Sequence, residues 1–176
     1  MVEFRRAVLV DRDALVELAA LSFPHSAPPG TDPVNLQHHI DQQLNAEKFA
    51  WYLCHPEVTV LVAEEDGALL GYSVTVAAPS QDSEVVAALS LTPAVELSKF
   101  FVHPERFGAG IAAGLMKTTL QEAAGSGAQG IWLGVSSVNE RAIRFYQKNG
   151  FSRVGMKSFL FGTVLERDFV MQRSLP

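Results

Sequence analysis

The chain has 176 residues, 48% hydrophobic and 19% charged, which fits a globular domain able to bury a full core and excludes a disordered or fibrous class. A formal net charge of −5 argues against a nucleic-acid partner, which would need a basic face, and is compatible with a cationic substrate. No stretch approaches the roughly 18 apolar residues of a membrane span, residues 1–6 carry no apolar signal core, and the single cysteine cannot close an internal disulfide. A reduced, cytoplasmic setting without membrane contact is the expectation, with Cys54 as a buried small hydrophobe.

Phe4 to Val10 reads as a first strand. Asp11-Arg12-Asp13 then offers an N-cap and an acidic first turn for a helix through Leu15, Leu18, Ala19 and Leu21. Four prolines and a glycine between Pro24 and Pro33 make a loop. A second helix is predicted from Val34 to about Tyr52, with Leu36, Ile40, Leu44 and Phe49 loosely periodic, as on a partly exposed helix. The loop and its flanking helices are where a substrate is expected to be selected, because loops on rigid scaffolds carry specificity. His25, His38 and His39 fall here. Adjacent histidines point to different sides of a helix and make no metal pair, so all three are read as surface residues and no metal is expected. Val58 to Ala63 is a buried-strand run, Asp66-Gly67 a hairpin turn, and Leu69 to Ala77 the returning strand. Pro79 to Pro93 reads as loop.

Val95 to Val102 opens as a strand with aromatic and β-branched residues, and Pro104 ends it by removing a donor. Strand alternation places Glu96, Ser98, Phe100 and Val102 on one face. Gly108-Ala109-Gly110 forces a turn, after which Ala112, Leu115, Met116, Thr119, Leu120 and Ala123 share a helical face. A helix start has N–H groups without internal partners and a partly positive dipole end, so small residues there suit a pyrophosphate. The same turn would also serve as a plain connector. A nucleotide-triphosphate loop is excluded, because no Lys-Ser/Thr pair follows. Gly108, Gly110 and Ala113 nearly match a dinucleotide fingerprint, but that pattern opens a chain-leading βαβ unit and here lies far into the chain.

Gly125 to Gly130 breaks the helix, and Ile131 to Val135 is the next strand. Asn139 is a good N-cap for a helix over Glu140 to Asn149, which Gly150 ends. Phe151 to Val154 and Arg167 to Met171 read as closing strands. The order is β-α-α-β-β-β-α-β-α-β-β in one domain over 1–176. This is an α/β (α+β) fold: a mixed, mostly antiparallel twisted sheet of about seven strands with helices on both faces. Asn139 and Tyr146 lie two helical turns apart and share a face with Ala142. A phenol there is either a core or rim side chain, or a proton donor of pKa about 10.

The run Val-His-Pro-Glu followed by Gly-x-Gly-Ile-Ala, then Asn-x-x-Ala-x-x-Phe-Tyr-x-x-x-Gly-Phe, resembles the GNAT superfamily of N-acetyltransferases from Val95 to Phe151. The resemblance implies that the backbone amides of Phe107, Gly108, Ala109, Gly110, Ile111 and Ala112 hold the pyrophosphate of acetyl-CoA. It also implies that the backbone of Phe101 and Val102 pairs with pantetheine and that Asn139 bonds the CoA arm. By the same resemblance Lys148 faces the 3′-phosphate and Tyr146 protonates the leaving thiolate. Phe107 stands where that family usually has Arg or Gln, and Arg106 lies one residue early. Gly155, Phe159, Gly162 and Asp168-Phe169-Val170-Met171 look like the branch that includes bacterial polyamine acetyltransferases.

An amine must be neutral to attack an acyl group, yet a primary amine is mostly ammonium at pH 7. Glu96 stands where several members of that family place a base. A structural carboxylate, one that binds a cationic amine, or a water chain as base are the other readings. The function expected is acetyl transfer by direct attack of a primary amine of a small, polyamine-like molecule or a peptide, in a monomer or homodimer. A non-catalytic acetyl-CoA sensor or scaffold, and an acyltransferase acting on a hydroxyl or using another acyl-CoA, are the alternatives.

Overall fold

The computed structural model describes residues 1–176. Strands β1 (Glu3–Arg6), β2 (Val58–Glu65), β3 (Ala68–Val76), β4 (Ala94–Val102), β5 (Gly130–Ser136), β6 (Ser152–Phe161) and β7 (Val164–Ser174) form one sheet in the order β1-β2-β3-β4-β5-β7-β6. Every neighbouring pair is antiparallel except β4 and β5. Six helices accompany the sheet: α1 (Arg12–Ser22), α2 (Pro33–Gln43), α3 (Ala46–Cys54), α4 (Ser83–Ala88), α5 (Ile111–Ala124) and α6 (Glu140–Lys148).

Alternation along the strands feeds two cores. Val60 and Val62 of β2 pack with Leu15, Leu18 and Phe49 from α1 and α3. Ala63 turns the other way, toward Ile111 of α5. Farther along the sheet, Leu97, Ile131, Leu133 and Met171 pack under Met116 of α5 and the apolar face of α6. Gly114 marks where α5 crosses β1, since a Cβ there would overlap the Phe4 ring.

The element order expected from the sequence is present, with local differences that have physical causes. The first strand stops at Arg6, and Leu9–Asp11 forms a 3-10 turn. Asp11 does not cap α1; its carboxylate accepts from the Arg5 guanidinium at 2.9 Å and from the Val8 amide at 2.8 Å. The single helix predicted over 34–52 is two helices. Asn45 caps α3 by accepting from the Lys48 amide at 2.9 Å, which restarts the helix. Within the predicted loop 79–93, Asp82 caps α4, accepting from the Glu84 amide at 2.9 Å, and Val85 is buried against Trp132 and Val170. Cys54 is exposed at the end of α3 and is no core residue.

One difference changes the site. In the β3–β4 ladder Val74 opposes Lys99 while Thr75 opposes Leu97, so Ser98 is an extra residue in a β-bulge. The bulge inverts the alternation. Glu96 shares its face with Lys99 and Phe101, whereas Leu97, Phe100 and Val102 face α5 and α6. The expected grouping of Glu96 with Phe100 and Val102 is therefore wrong.

Candidate active site

Strands β4 and β5 pair only over Ala94–Glu96 against Gly130–Trp132 and then part. Beyond that point a cavity of about 690 Å³ opens between them. Its walls come from both strands, the turn after β4, α6, the 23–28 segment after α1, and the β6–β7 hairpin. Because β4 loses its neighbour here, the strand presents an unpaired backbone edge at Phe101 and Val102, both of which line the cavity.

The turn after β4 is built for exposed amides. Pro104–Arg106 makes a 3-10 turn, and Gly108 and Gly110 take φ of +83° and +81°. A Cβ built on either glycine would meet nothing within 4 Å. Gly110 leads into α5 with no side-chain cap, so the first N–H groups of the helix are left for another acceptor. Phe107, Gly108, Gly110 and Ala112 line the cavity. Ile111 buries its side chain in the core, and the Ala109 amide donates to the Arg106 carbonyl at 3.3 Å, so Ala109 serves the turn itself. These residues fit a diphosphate held by the main chain.

On the facing wall, Asn139 caps α6 by accepting from the Ala142 amide at 3.2 Å. Two turns on, Tyr146 packs edge-on against Phe145 and Phe151, with centroids at 5.6 and 5.8 Å, and reaches Phe100 at 6.5 Å. Tyr146 and Asn139 both line the cavity. Burial pushes the Tyr146 phenol above its ordinary pKa and so keeps its proton on. Gly150, at φ +87°, ends the helix as expected. Lys148 is exposed and lies outside the cavity lining, so its side chain is not part of the wall.

Glu96 lies at the inner end of the cleft, half-buried. Desolvation raises its pKa, and Lys157 and Lys99 pull it partly back. Three further groups converge here that the sequence reading missed. Burial lowers the Lys99 ammonium, which lies 5.3 Å from the Tyr52 ring centroid. Asp168 is raised by burial and held back by Lys157, its cross-strand partner in the β6–β7 hairpin. Gly134 makes room for both: a Cβ there would meet Lys157 Cδ at 3.4 Å and Asp168 Oδ2 at 3.6 Å. None of Glu96, Lys99, Lys157 and Asp168 belongs to an ion pair. Half-buried charges left without a direct partner are costly in a fold and mark functional clefts.

Aromatic rings complete the outer wall. His39 stacks on Phe23 with centroids 4.5 Å apart and reaches Phe161 at 5.3 Å, with Phe159 beyond. Burial lowers the His39 pKa, so it is a neutral wall residue and not the surface histidine expected. His25 also lines the cavity, edge-on to Phe107 at 6.2 Å, while His38 is exposed as expected. The clue in the sequence for the charged group was Asp168 within the closing strands. Lys99 could not be placed without the bulge.

Comparison with known proteins agrees with this architecture. The model of the acetyltransferase (GNAT) family matches residues 13–151. An uncharacterized N-acetyltransferase of Mycobacterium tuberculosis is 38% identical over 167 residues, covering 95% of this chain and 99% of that protein. A streptothricin acetyltransferase of Streptomyces lavendulae is 37% identical over 76 residues, covering 43% of this chain and 40% of that one. Among solved structures, the PaiA N-acetyltransferase of Thermoplasma acidophilum in complex with coenzyme A superposes with a TM-score of 0.80, at 20% identity, over 99% of both chains. YncA of Salmonella typhimurium, with acetyl-CoA bound, gives a TM-score of 0.66 at 23% identity, over 100% of this chain and 95% of that one. With a family model spanning most of the chain and a close full-length relative, the protein belongs to the GNAT family of acetyltransferases and is an acyltransferase.

Proposed function

We propose that residues 1–176 act as one acetyltransferase domain that moves an acetyl group from acetyl-CoA to a primary amine of a small molecule or peptide. The observation that carries this is the junction of two features in one cavity. An uncapped helix start with two open glycines lies beside a strand edge freed by the divergence of β4 and β5. The first suits a diphosphate and the second a pantetheine amide chain, so together they lay a thioester along β4. The likeness to a streptothricin acetyltransferase favours a small-molecule acceptor.

Acetyl-CoA supplies the activated acyl group, and the chain's residues position it and move protons. The amides from Gly108 to Ala112, apart from that of Ala109, bind the diphosphate, and the Phe101–Val102 edge orients the thioester. Asn139 borders the arm between them. The acceptor enters past the Phe23–His39 stack as an ammonium, which the carboxylates of Glu96 and Asp168 attract. Glu96 accepts a proton from that ammonium, a task suited to a carboxylate whose pKa is raised toward neutrality. The free amine attacks the carbonyl, the carbon–sulfur bond breaks, and Tyr146 delivers its phenolic proton to the departing sulfur. The second proton, which the acylated nitrogen sheds as it becomes an amide, returns to the tyrosinate and restores the phenol. Most of the acceleration is positioning of two reactants in one cleft. The setting is a cytoplasmic monomer or homodimer that needs neither metal nor nucleic acid; no helix is long and apolar enough to cross a membrane.

The test is a thiol-release screen with acetyl-CoA across polyamines, aminoglycosides, amino acids and peptides, with acetylated product identified by mass. Turnover of at least one amine, with one thiol released per acetyl group transferred, is the expected result. Acetyl-CoA binding without turnover of any amine would leave a sensor or scaffold in its place.

A further inference from the structure

We infer that Arg141, carried on the ring of Phe107, supplies the positive charge that the diphosphate of coenzyme A meets in this protein. The inference rests on the acetyl-CoA reading above and deepens it.

Three observations lead there. The loop position beside the open glycines is Phe107, which has no polar group to offer a phosphate. The arginine next to it also lines the cavity, but its charge already faces a carboxylate: Arg106 pairs with Glu65 of β2 at 3.3 Å, and Glu65 also holds the N-terminal ammonium at 3.3 Å. Phe107 keeps 41% of its surface exposed, yet its face is covered by the Arg141 guanidinium, 3.9 Å from the ring centroid. Arg141 comes from the first turn of α6, the opposite wall of the cleft, so this contact bridges the mouth from one wall to the other.

The chemistry of the stack suits a phosphate. A guanidinium lying on an aromatic face is held in orientation while its edge N–H groups stay free, and a planar fork of donors matches phosphate oxygens. Arg141 has no carboxylate partner. The nearby Glu140 pairs with Arg144 instead, at 3.6 Å, which leaves Arg141 as the unclaimed cation on this turn. Phe107 is then a platform that brings the charge across to the bare amides of Gly108 and Gly110.

The experiment is calorimetric titration of the whole chain with coenzyme A, 3′-dephospho-coenzyme A and pantetheine. Arg141→Met is expected to weaken coenzyme A and dephospho-coenzyme A alike by about 10- to 100-fold, the loss of a charge-assisted contact, and to leave pantetheine unchanged. Phe107→Leu, which keeps an apolar side chain but removes the ring face, should weaken both by about threefold. Adding Phe107→Arg to Arg141→Met should restore most of the affinity, because the charge is returned to the loop itself. Unchanged affinity in Arg141→Met would overturn the inference, as would a double variant no better than the single one. A loss confined to coenzyme A would move Arg141 to the 3′-phosphate and overturn its assignment to the diphosphate. If the unaltered protein binds neither coenzyme A nor its acetyl form, the failure lies with the acetyl-CoA reading and not with Arg141.

Discussion

Replacing Tyr146 by Phe removes one oxygen and almost nothing else. The ring sits against Phe145, Phe151 and Phe100 at centroid distances of 5.6, 5.8 and 6.5 Å, and a Phe ring keeps all three contacts. Folding stability should therefore change by no more than about 0.5 kcal/mol. The chemistry is another matter. A positioned general acid contributes about 10²- to 10⁴-fold, and the cleft is open enough for water to replace part of that, so the low end applies. A 10²-fold fall in kcat corresponds to about 2.7 kcal/mol on the barrier. Affinity for acetyl-CoA should stay within about threefold, since the diphosphate and the pantetheine chain meet other groups. Because burial pushes the phenol up, the proton remains in place through neutral pH, and Tyr146 adds no alkaline limb to the rate profile below about pH 10. Thiol release gives kcat, and titration with acetyl-CoA gives the affinity. An unchanged kcat would remove Tyr146 from proton transfer, and a loss of affinity equal to the loss of rate would make it a binding residue.

Glu96→Gln should lower kcat/KM by about 10²-fold and abolish an acidic limb that, in the unaltered enzyme, lies above the ordinary carboxylate value of 4.5. The same variant should be more stable at pH 7. The folded pKa lies above the unfolded one, so ionisation opposes folding once pH exceeds both, and the gain should vanish below about pH 4. A lower melting temperature at pH 7 would show that Glu96 is a structural carboxylate. Gly110→Ala forces a side chain into φ +81°, a strain of about 1–2 kcal/mol, and should weaken coenzyme A by about tenfold as the turn shifts; unchanged binding would separate that turn from the ligand. Gly114→Val drives a branched side chain into the Phe4 ring and should cost about 2–3 kcal/mol in chemical denaturation with turnover of the folded enzyme preserved; full stability would mean that α5 and β1 part easily.

What the sequence revealed was local. The turn that exposes amides is contiguous, with Gly108 and Gly110 both in the left-handed region, and Asn139 and Tyr146 are linked by helical period alone. Both halves of the wall proposed for the cofactor lie in contiguous or helix-periodic stretches of sequence. The end proposed for the acceptor does not, because its residues meet through strand pairing and not through spacing. Lys157 and Asp168 are brought opposite each other by the β6–β7 register, and the closing strands are longer than their β-formers suggest because the hairpin extends to Gly162. Lys99 joins Glu96 only because Ser98 bulges, and no glycine or proline marks that position. His39 looked like a surface residue on a loosely periodic helix, but α2 lays it against Phe23 and Phe161. Asn45 and Asp82 were legible as caps in principle, and each starts a helix that a smooth reading of hydrophobicity passed over.

The central claim is that main-chain amides at the start of α5 hold a diphosphate while the opened edge of β4 holds the arm of the cofactor. Titration of the purified chain with coenzyme A, followed by backbone amide chemical shifts, tests it most directly. The account predicts one site per chain, with the largest shifts at Gly108, Gly110 and Ala112 and a second group at Phe101 and Val102. Saturable binding that leaves those amides unmoved, or no binding at all, would contradict it.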